Sequence, residues 1–353
     1  MLMRRKLPVS ILIAGMLTFI AVLGVGAQQA DLDGSANFRD SNAVSDSLVL
    51  ALTDVPAPPS GSVYEGWLKG GSGALVSTGV LSRSIGGAVN QTYQSPTNAN
   101  LLATYSQFVI TEEPASDPDP ATPGTVIWSD TVPAGVFPHI APLLVIATDA
   151  GTQAQVAADH AALAKDATTL SSQQSHAQHV INAIDGLGDP GDSVGVIAHA
   201  NAAIALAGVA KSATTDAGVI ETADEVIASA NNTIAHANAA KATAGRIIAA
   251  TSSGMAVNLE LENLVSSAGR ALNGTDEDGD SIVGNDGPEG GAKSGLYTFS
   301  QDLGMFVPLA GAPTGPPPTG DALIPLMALL ALVAGVVLTA GGGLLVFRRR
   351  ATA

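Results

Sequence analysis

The sequence contains no cysteine, and this absence excludes several kinds of chemistry. A chain without thiols cannot form disulfides, thiolate metal sites or cysteine nucleophiles. Aromatic residues make up only 4% of the chain, so we expect a core built mainly from Ala, Val, Ile and Leu. Its 353 residues leave room for roughly two domains.

Basic residues are also scarce, with 15 Lys and Arg against 31 Asp and Glu. All the acidic residues, but only nine of the basic ones, lie between positions 28 and 322. Such a surface repels nucleic acid and anionic lipid, so no nucleic-acid partner is expected. It favours solubility or the binding of divalent cations.

Two hydrophobic runs lie near the two ends of the sequence. Basic residues at 4–6, the apolar run 11–25 and small residues up to Ala27 predict a signal peptide over 1–27, with an uncleaved anchor as the alternative. Leu323–Phe347 is uncharged and long enough to span a membrane, and the arginines at 348–350 predict a basic cytoplasmic tail over 348–353. The sequence therefore predicts an exported, single-pass membrane protein with an extracytoplasmic N-terminal region.

The residue composition and pattern of the predicted exported part change along the chain. Residues 28–46 are polar and are predicted to be flexible. Short β-branched and aromatic runs separated by turns predict an antiparallel β-sandwich over 47–150. Alanine-rich segments with helical spacing predict a bundle of five or six helices with internal repeats over 151–273. Residues 274–322 are interpreted as an acidic loop and a Gly/Pro-rich stalk.

The run VYEGWL at 63–68, followed by FVITEEP at 108–114 and GTVIW at 124–128, resembles a known family. It is similar to the extracytoplasmic C-terminal domain of anti-sigma-K factors, over roughly residues 47–135. The resemblance implies a shared sandwich fold, and an anti-sigma-like regulatory sensor is an alternative function. An anti-sigma factor has a sigma-binding segment before its membrane helix, and only about ten residues precede the first apolar run here. Tyr64 and Trp67 are predicted to be core residues.

Five of the six histidines fall in the predicted bundle. His160, His199 and His236 occupy the same slot in three related alanine-rich segments. His176 and His179 are three residues apart on one helix, whose apolar stripe predicts that His179 points toward solvent. Imidazoles from facing helices can bind a transition metal or a haem iron. His160, His176, His199 and His236 are therefore candidate ligands, with helix-packing or surface roles as the alternative.

The stretch TDEDGDSIVGNDGPEGG suggests a calcium loop. Asp276, Asp278 and Asp280 alternate, as they do where three carboxylates converge on one hard cation. Gly287 stands at the usual closing position, with Glu289 two residues further on. The hypothesis is a degenerate Ca²⁺ site, and the alternative is a solvated turn between helices.

The run PPPTG at 316–320 precedes the apolar span and resembles a sortase sorting signal. Pro317, Thr319 and Gly320 match the Leu-Pro-x-Thr-Gly pattern, whereas Pro316 stands in the Leu position. The alternative is a stalk before an uncut anchor, so the protein would be associated either with the membrane or with the cell wall or an S-layer.

No nucleophile elbow, zinc-protease motif or phosphate loop with the correct spacing occurs, so no enzymatic activity is expected. The first prediction is a membrane-anchored surface protein with a structural or interaction role, contacting cell-envelope components or another protein. The alternatives are an anti-sigma-like regulatory sensor and a metal- or haem-binding helical bundle.

Overall fold

A computed structural model describes residues 31–71, 73–117, 119–283, 287–307 and 310–311. Strands come first along the chain, then helices, and this confirms the predicted order of the two classes. The strands are β1 Asp33–Arg39, β2 Ser47–Thr53, β3 Ser62–Lys69, β4 Leu75–Val80, β5 Val89–Gln94, β6 Gln107–Pro114, β7 Thr125–Thr131 and β8 Ala310–Gly311. The helices are α1 Phe137–Asp166, α2 Leu170–Asp185, α3 Val196–Ser212, α4 Ala217–Ile248, α5 Met255–Asn273 and α6 Tyr297–Asp302, the last preceded by a π-helical turn, Ala292–Leu296.

The strands form two sheets, one ordered β1-β2-β5 and the other β4-β3-β6-β7-β8, and every described pairing is antiparallel. We call strands β1 to β7 the β region and helices α1 to α6 the helical region. The β-branched and aromatic runs quoted above lie on these strands. Alternate side chains of a strand point to the same face, so such runs can bury one face of a sheet. The helical region begins at Phe137, earlier than the predicted boundary at 150. One continuous hydrophobic core joins the two regions.

The prediction that residues 28–46 are flexible is wrong for the part that the structure describes. Strand β1 lies there and pairs with β2 along its whole length. Ala36 and Phe38 are fully buried, because alternate residues of the strand face the core. The following turn is closed by Asp46, whose carboxylate accepts hydrogen bonds from the amides of Ser41 (2.7 Å) and Asn42 (3.0 Å).

The stalk predicted over 274–322 is also incorrect as far as Phe306. The segment folds back, and Phe306 exchanges two backbone hydrogen bonds with Ala36, of 3.0 and 3.1 Å. Its ring lies 5.5 Å from Phe38 and 6.0 Å from Phe108, so it packs against both sheets. Short β8 then adds to the edge of β7. The rings of Phe38 and Phe108 pack against that of Phe306, and β8 pairs with β7. These contacts hold a segment whose Gly and Pro content predicted a stalk.

The helical core is built largely from alanine, as the composition predicts. In α1 alone the fully or almost fully buried small residues recur about once per turn: Ala147, Ala150, Ala154, Ala157, Ala161 and Ala164. Small side chains allow neighbouring helices to approach closely. Helix α5 is amphipathic, and its larger side chains Val257, Leu261 and Leu264 are buried on one face.

The helix ends follow from local sequence. Thr169 accepts a hydrogen bond from the Ser172 amide (3.2 Å) and begins α2, which ends at Gly186 with a left-handed φ of 70°. Helices α1 and α2 are therefore joined by only three residues, 167–169, and form an antiparallel hairpin.

The predicted signal peptide and the predicted transmembrane helix Leu323–Phe347 lie outside the described residues. Within the described part of the chain, none of the helices combines the length and the apolar character needed to cross a membrane.

Candidate functional site

The hairpin of α1 and α2 brings three histidines together. His160 lies six residues before the end of α1, and His176 lies six residues after the start of α2. Both are eight positions from Thr168 in the connecting loop, so an antiparallel hairpin places them opposite each other. His179 is one turn further along α2, on the same side. All three side chains are half-buried.

The three imidazoles are in direct contact. The Nδ1 atoms of His160 and His176 are 3.2 Å apart. The ring centroid of His160 lies 4.7 Å from that of His179 and 5.4 Å from that of His176. One nitrogen from each ring lies within 4.8 Å of the other two. The three rings are therefore close enough to be considered together as candidate ligands of one ion.

The surroundings of His160 lower its pKa, which favours the neutral form. Burial lowers the pKa of His160 first, and the neighbouring imidazoles of His179 and His176 lower it further. The carboxylates of Asp159 and Asp189 oppose this shift. A neutral imidazole has a free lone pair, which is the form that binds metal ions.

The prediction that His179 points toward solvent is wrong. It assumed that α2 has one packed face, but α2 packs against both α1 and α4. Gln174 donates to the carbonyl oxygens of Ile248 (3.0 Å) and Ala250 (2.8 Å) at the end of α4. Because α1 covers the other side of α2, His179 lies in the α1–α2 groove.

His199, another predicted ligand, is engaged elsewhere. Its Nε2 lies 2.7 Å from a carboxylate oxygen of Asp192, just before the start of α3. Asp192 also accepts hydrogen bonds from the amides of Val194 (2.9 Å) and Gly195 (2.7 Å). Burial alone raises the pKa of Asp192, but these hydrogen bonds lower it overall. His199 therefore helps to fix the loop that begins α3, which is the packing role that the sequence left open.

His236 is also separate from the cluster. It lies half-buried on α4, and its Nε2 is buried without a hydrogen-bond partner among the described residues. Burial and then the charge of Arg270 lower its pKa, while Glu277 opposes them. The shared slot in the three alanine-rich segments thus does not bring His160, His199 and His236 to one place.

The three predicted calcium ligands do lie together, and a fourth carboxylate joins them. Oxygens of Asp276, Asp278, Asp280 and Glu289 lie within 4.8 Å of one another. Glu289 is only 1% exposed, whereas the three aspartates are exposed. A backbone bridge between residues 274 and 290 brings Glu289 back to the loop, which the spacing rule for calcium loops did not anticipate.

These carboxylates already accept hydrogen bonds from the backbone of the loop. Asp276 accepts from the amide of Gly279 (2.7 Å), and Asp278 accepts from that of Asp280 (2.9 Å). Glu289 accepts from the amides of Glu277 (2.5 Å) and Asp278 (2.9 Å). Such turns form through local side chain to backbone bonds without any ion. Calcium binding here stays a prediction.

A cleft of about 460 Å³ lies between α1, the loop after β1 and the π-helical turn. Several of its polar side chains make hydrogen bonds within the protein. Thr148 and Thr152 donate to carbonyls one turn back in α1, and Tyr297 donates to Asp40 at 2.7 Å. Burial and the Asp40 carboxylate both raise the pKa of Tyr297. Because few polar groups converge on the open space, the cleft is a weaker candidate than the histidine cluster.

The motifs that carry the family resemblance have structural roles. Tyr64 and Trp67 are 6% and 2% exposed, which confirms that they are buried. The Trp67 indole donates to the Thr111 hydroxyl at 3.0 Å, and Thr111 in turn donates to the buried Glu113. Glu113 also accepts the amide of Gly124 at 2.7 Å. These residues link β3, β6 and the start of β7.

The predicted sorting-signal residues Pro317, Thr319 and Gly320 lie outside the described residues. Their role stays a prediction.

Comparison with known proteins finds no match to the helical region. Residues 14–127 match the family model described as anti-sigma-K factor rskA, C-terminal. The match confirms the resemblance stated from the sequence, and it includes β1 to β6 and the start of β7. No curated protein and no solved structure matches the chain.

Proposed function

We propose that the chain is a non-enzymatic regulatory protein of the anti-sigma type, which acts by binding a protein partner such as a sigma factor. The observation that carries the proposal is the match of residues 14–127 to the C-terminal domain of anti-sigma-K factors. The matched residues include all three strands of the first sheet and most of the second. They therefore comprise a folded unit rather than an isolated motif.

The proposal places the β region, as a sandwich, outside the cytoplasm and anchors it through Leu323–Phe347. This position follows from the signal peptide and the apolar span predicted from the sequence. The same features support the surface structural role that the sequence predicts first. The regulatory alternative has the additional support of the family match.

The turn between β4 and β5 is the most prominent apolar feature on the β region. The side chain of Ile85 at its tip is fully exposed. The turn is held by the Ser84 amide, which donates to the Ala88 carbonyl (2.8 Å), and by Arg83, whose Nε donates to the Val55 carbonyl (2.5 Å). An apolar side chain on a rigid turn suits a partner contact, because little entropy is lost on binding. Ile85 is therefore a useful probe of the proposed interaction.

The experiment is transcript profiling of the source organism with the gene deleted, and with it restored on a plasmid. Loss of an anti-sigma factor frees its sigma factor, so deletion is expected to raise the transcripts of one promoter class. Restoration of the full chain should return them to the starting level. Two further strains carry Ile85→Asp or Met255→Asp. Met255, on α5, is 89% exposed and serves as a matched apolar control in the helical region.

The β region is placed outside the cytoplasm, so failure of Ile85→Asp to restore repression, with normal repression by Met255→Asp, would indicate that repression requires an extracytoplasmic partner bound to the β region. Unchanged transcripts after deletion and after overproduction would contradict the regulatory function. An envelope defect in the deletion strain without any transcript change would instead favour the structural role.

A further inference from the structure

We propose that His160, His176 and His179 bind one divalent transition-metal ion of the class of Zn²⁺ in the groove between α1 and α2. The proposal concerns the helical region, which lies outside the family match, and does not depend on the regulatory function.

The first support is the spacing of the nitrogens. Zinc–imidazole bonds of about 2.0–2.1 Å in a tetrahedral site place two ligand nitrogens about 3.4 Å apart. The Nδ1 atoms of His160 and His176 are 3.2 Å apart, and one nitrogen from each of the three rings lies within 4.8 Å of the other two. Small rotations of half-buried rings are enough to complete a three-nitrogen site.

The second support is an unsatisfied atom. Nδ1 of His179 is buried and has no hydrogen-bond partner among the described residues. Buried polar atoms are nearly always satisfied, and an ion that is not represented is one explanation for an exception. A metal bound at this nitrogen satisfies it.

Two carboxylates add negative charge beside the cluster. Asp159 and Asp189 both interact electrostatically with His160, and negative charge near the three rings favours a divalent cation.

The ligand type selects the class of ion. Imidazole nitrogens suit Zn²⁺, Cu²⁺ and Ni²⁺, whereas Ca²⁺ and Mg²⁺ require oxygen ligands. Three protein ligands on half-exposed side chains leave a fourth position for water or another small ligand. A haem is a poorer fit, because its ring would have to enter between imidazoles whose centroids are 4.7 Å apart.

The site is held by rigid elements rather than by a loop. His160 lies on a 30-residue helix and the other two ligands on a 16-residue helix, joined by a short connection. The hairpin therefore fixes the ligands before the ion binds, and preorganised ligands lose little entropy on coordination.

The test uses the full-length chain with any polyhistidine tag removed. Metal-free protein is titrated with ZnCl₂ against a competing chelator, and the zinc-loaded sample is examined by X-ray absorption spectroscopy. His179→Ala and His160→Gln remove a ligand from either helix. His236→Ala is the matched control, because His236 is also half-buried in the helical region but lies outside the cluster. Circular dichroism of the metal-free samples shows whether each variant folds.

The expected result is one zinc per chain, with imidazole scattering at about 2.0–2.1 Å. Each ligand variant should bind at least ~100-fold more weakly, since loss of a residue that only hydrogen-bonds to a metal ligand already costs 10–100-fold. His236→Ala should bind like the wild type. The proposal is overturned by absence of zinc binding, by binding that both folded ligand variants retain, or by a spectrum with oxygen ligands only. If His179→Ala fails to fold, His160→Gln decides the same question from the other helix.

Discussion

The β region and the helical region fill the same continuous core with different side chains. Trp128, Phe38 and Phe108 are among the largest fully buried residues, and all lie in the β region. The helical region fills its share mostly with alanine, and three of its imidazoles, those of His160, His176 and His179, lie together on one hairpin. The difference teaches that the first region is held by large side chains that must not be shortened. The second depends on small side chains that must not be lengthened.

The largest expected effect comes from truncating a β-region aromatic. Trp128 is fully buried, and its ring meets that of Tyr64 edge to face at 5.2 Å. Trp128→Ala should lower the free energy of unfolding by about 3–5 kcal/mol, because the cavity cannot collapse completely. Urea unfolding followed by circular dichroism measures the change. The exposed control Ile85→Ala should change it by less than about 0.5 kcal/mol, and equal losses in both variants would contradict the proposed difference.

The second effect is the converse test in the helical region. Ala240 on α4 is fully buried, so Ala240→Leu should lower the free energy of unfolding by about 1–3 kcal/mol through overpacking. Ala235→Leu on the same helix is exposed and should be nearly neutral. Thermal melts of the two variants provide the comparison. An unchanged free energy of unfolding in Ala240→Leu would mean that the alanine-lined core has space for the larger side chain.

A smaller effect is expected from calcium at the acidic loop. Three of its four carboxylates are exposed, so calcium binding should be weak, with a dissociation constant of ~1 mM. Calcium at about 5 mM would then stabilise the full chain by about 1 kcal/mol. Thermal melts with calcium and with chelator measure this. An unchanged melting temperature, or an equal rise in Asp278→Asn, would remove the calcium prediction.

The smallest effect is a pH dependence from His139, at the start of α1. Burial lowers the pKa of His139 below its usual 6.5, so the folded chain keeps it neutral while the unfolded chain binds a proton. Its contribution to stability is therefore complete above about pH 6.5 and declines as the pH falls toward 5.5. His139→Gln should lose less stability than the wild type between pH 7.5 and 5.5, measured by urea unfolding with chelator present. A steeper loss in the variant would contradict this sign.

The sequence predicted the strands well, because turn residues separate short β-branched runs such as those of β3 and β6. It failed for β1 and for the segment ending at Phe306. Their burial depends on partners far along the chain, and Phe306 meets Ala36 across 270 positions. Local composition carries no information about such contacts.

Only part of the candidate site could be predicted from the sequence, for a related reason. His160 and His176 were both identified as candidate ligands, but the shared slot in the alanine-rich segments grouped His160 with His199 and His236. Their equal distance from Thr168 was the better signal, since an antiparallel hairpin pairs positions symmetrical about its loop. His179 was missed because a one-sided helix was assumed, whereas α2 packs on two sides.

We expect metal binding on the α1–α2 hairpin of the helical region, whereas the regulatory resemblance belongs to the β region. Hydrogen–deuterium exchange of the metal-free full chain with and without added ZnCl₂ tests this most directly. We expect slower exchange confined to residues 155–182 in the wild type, and no zinc-dependent change in His179→Ala. Zinc-dependent protection centred on residues 274–289 or on the β region, or no protection at all, would contradict the claim.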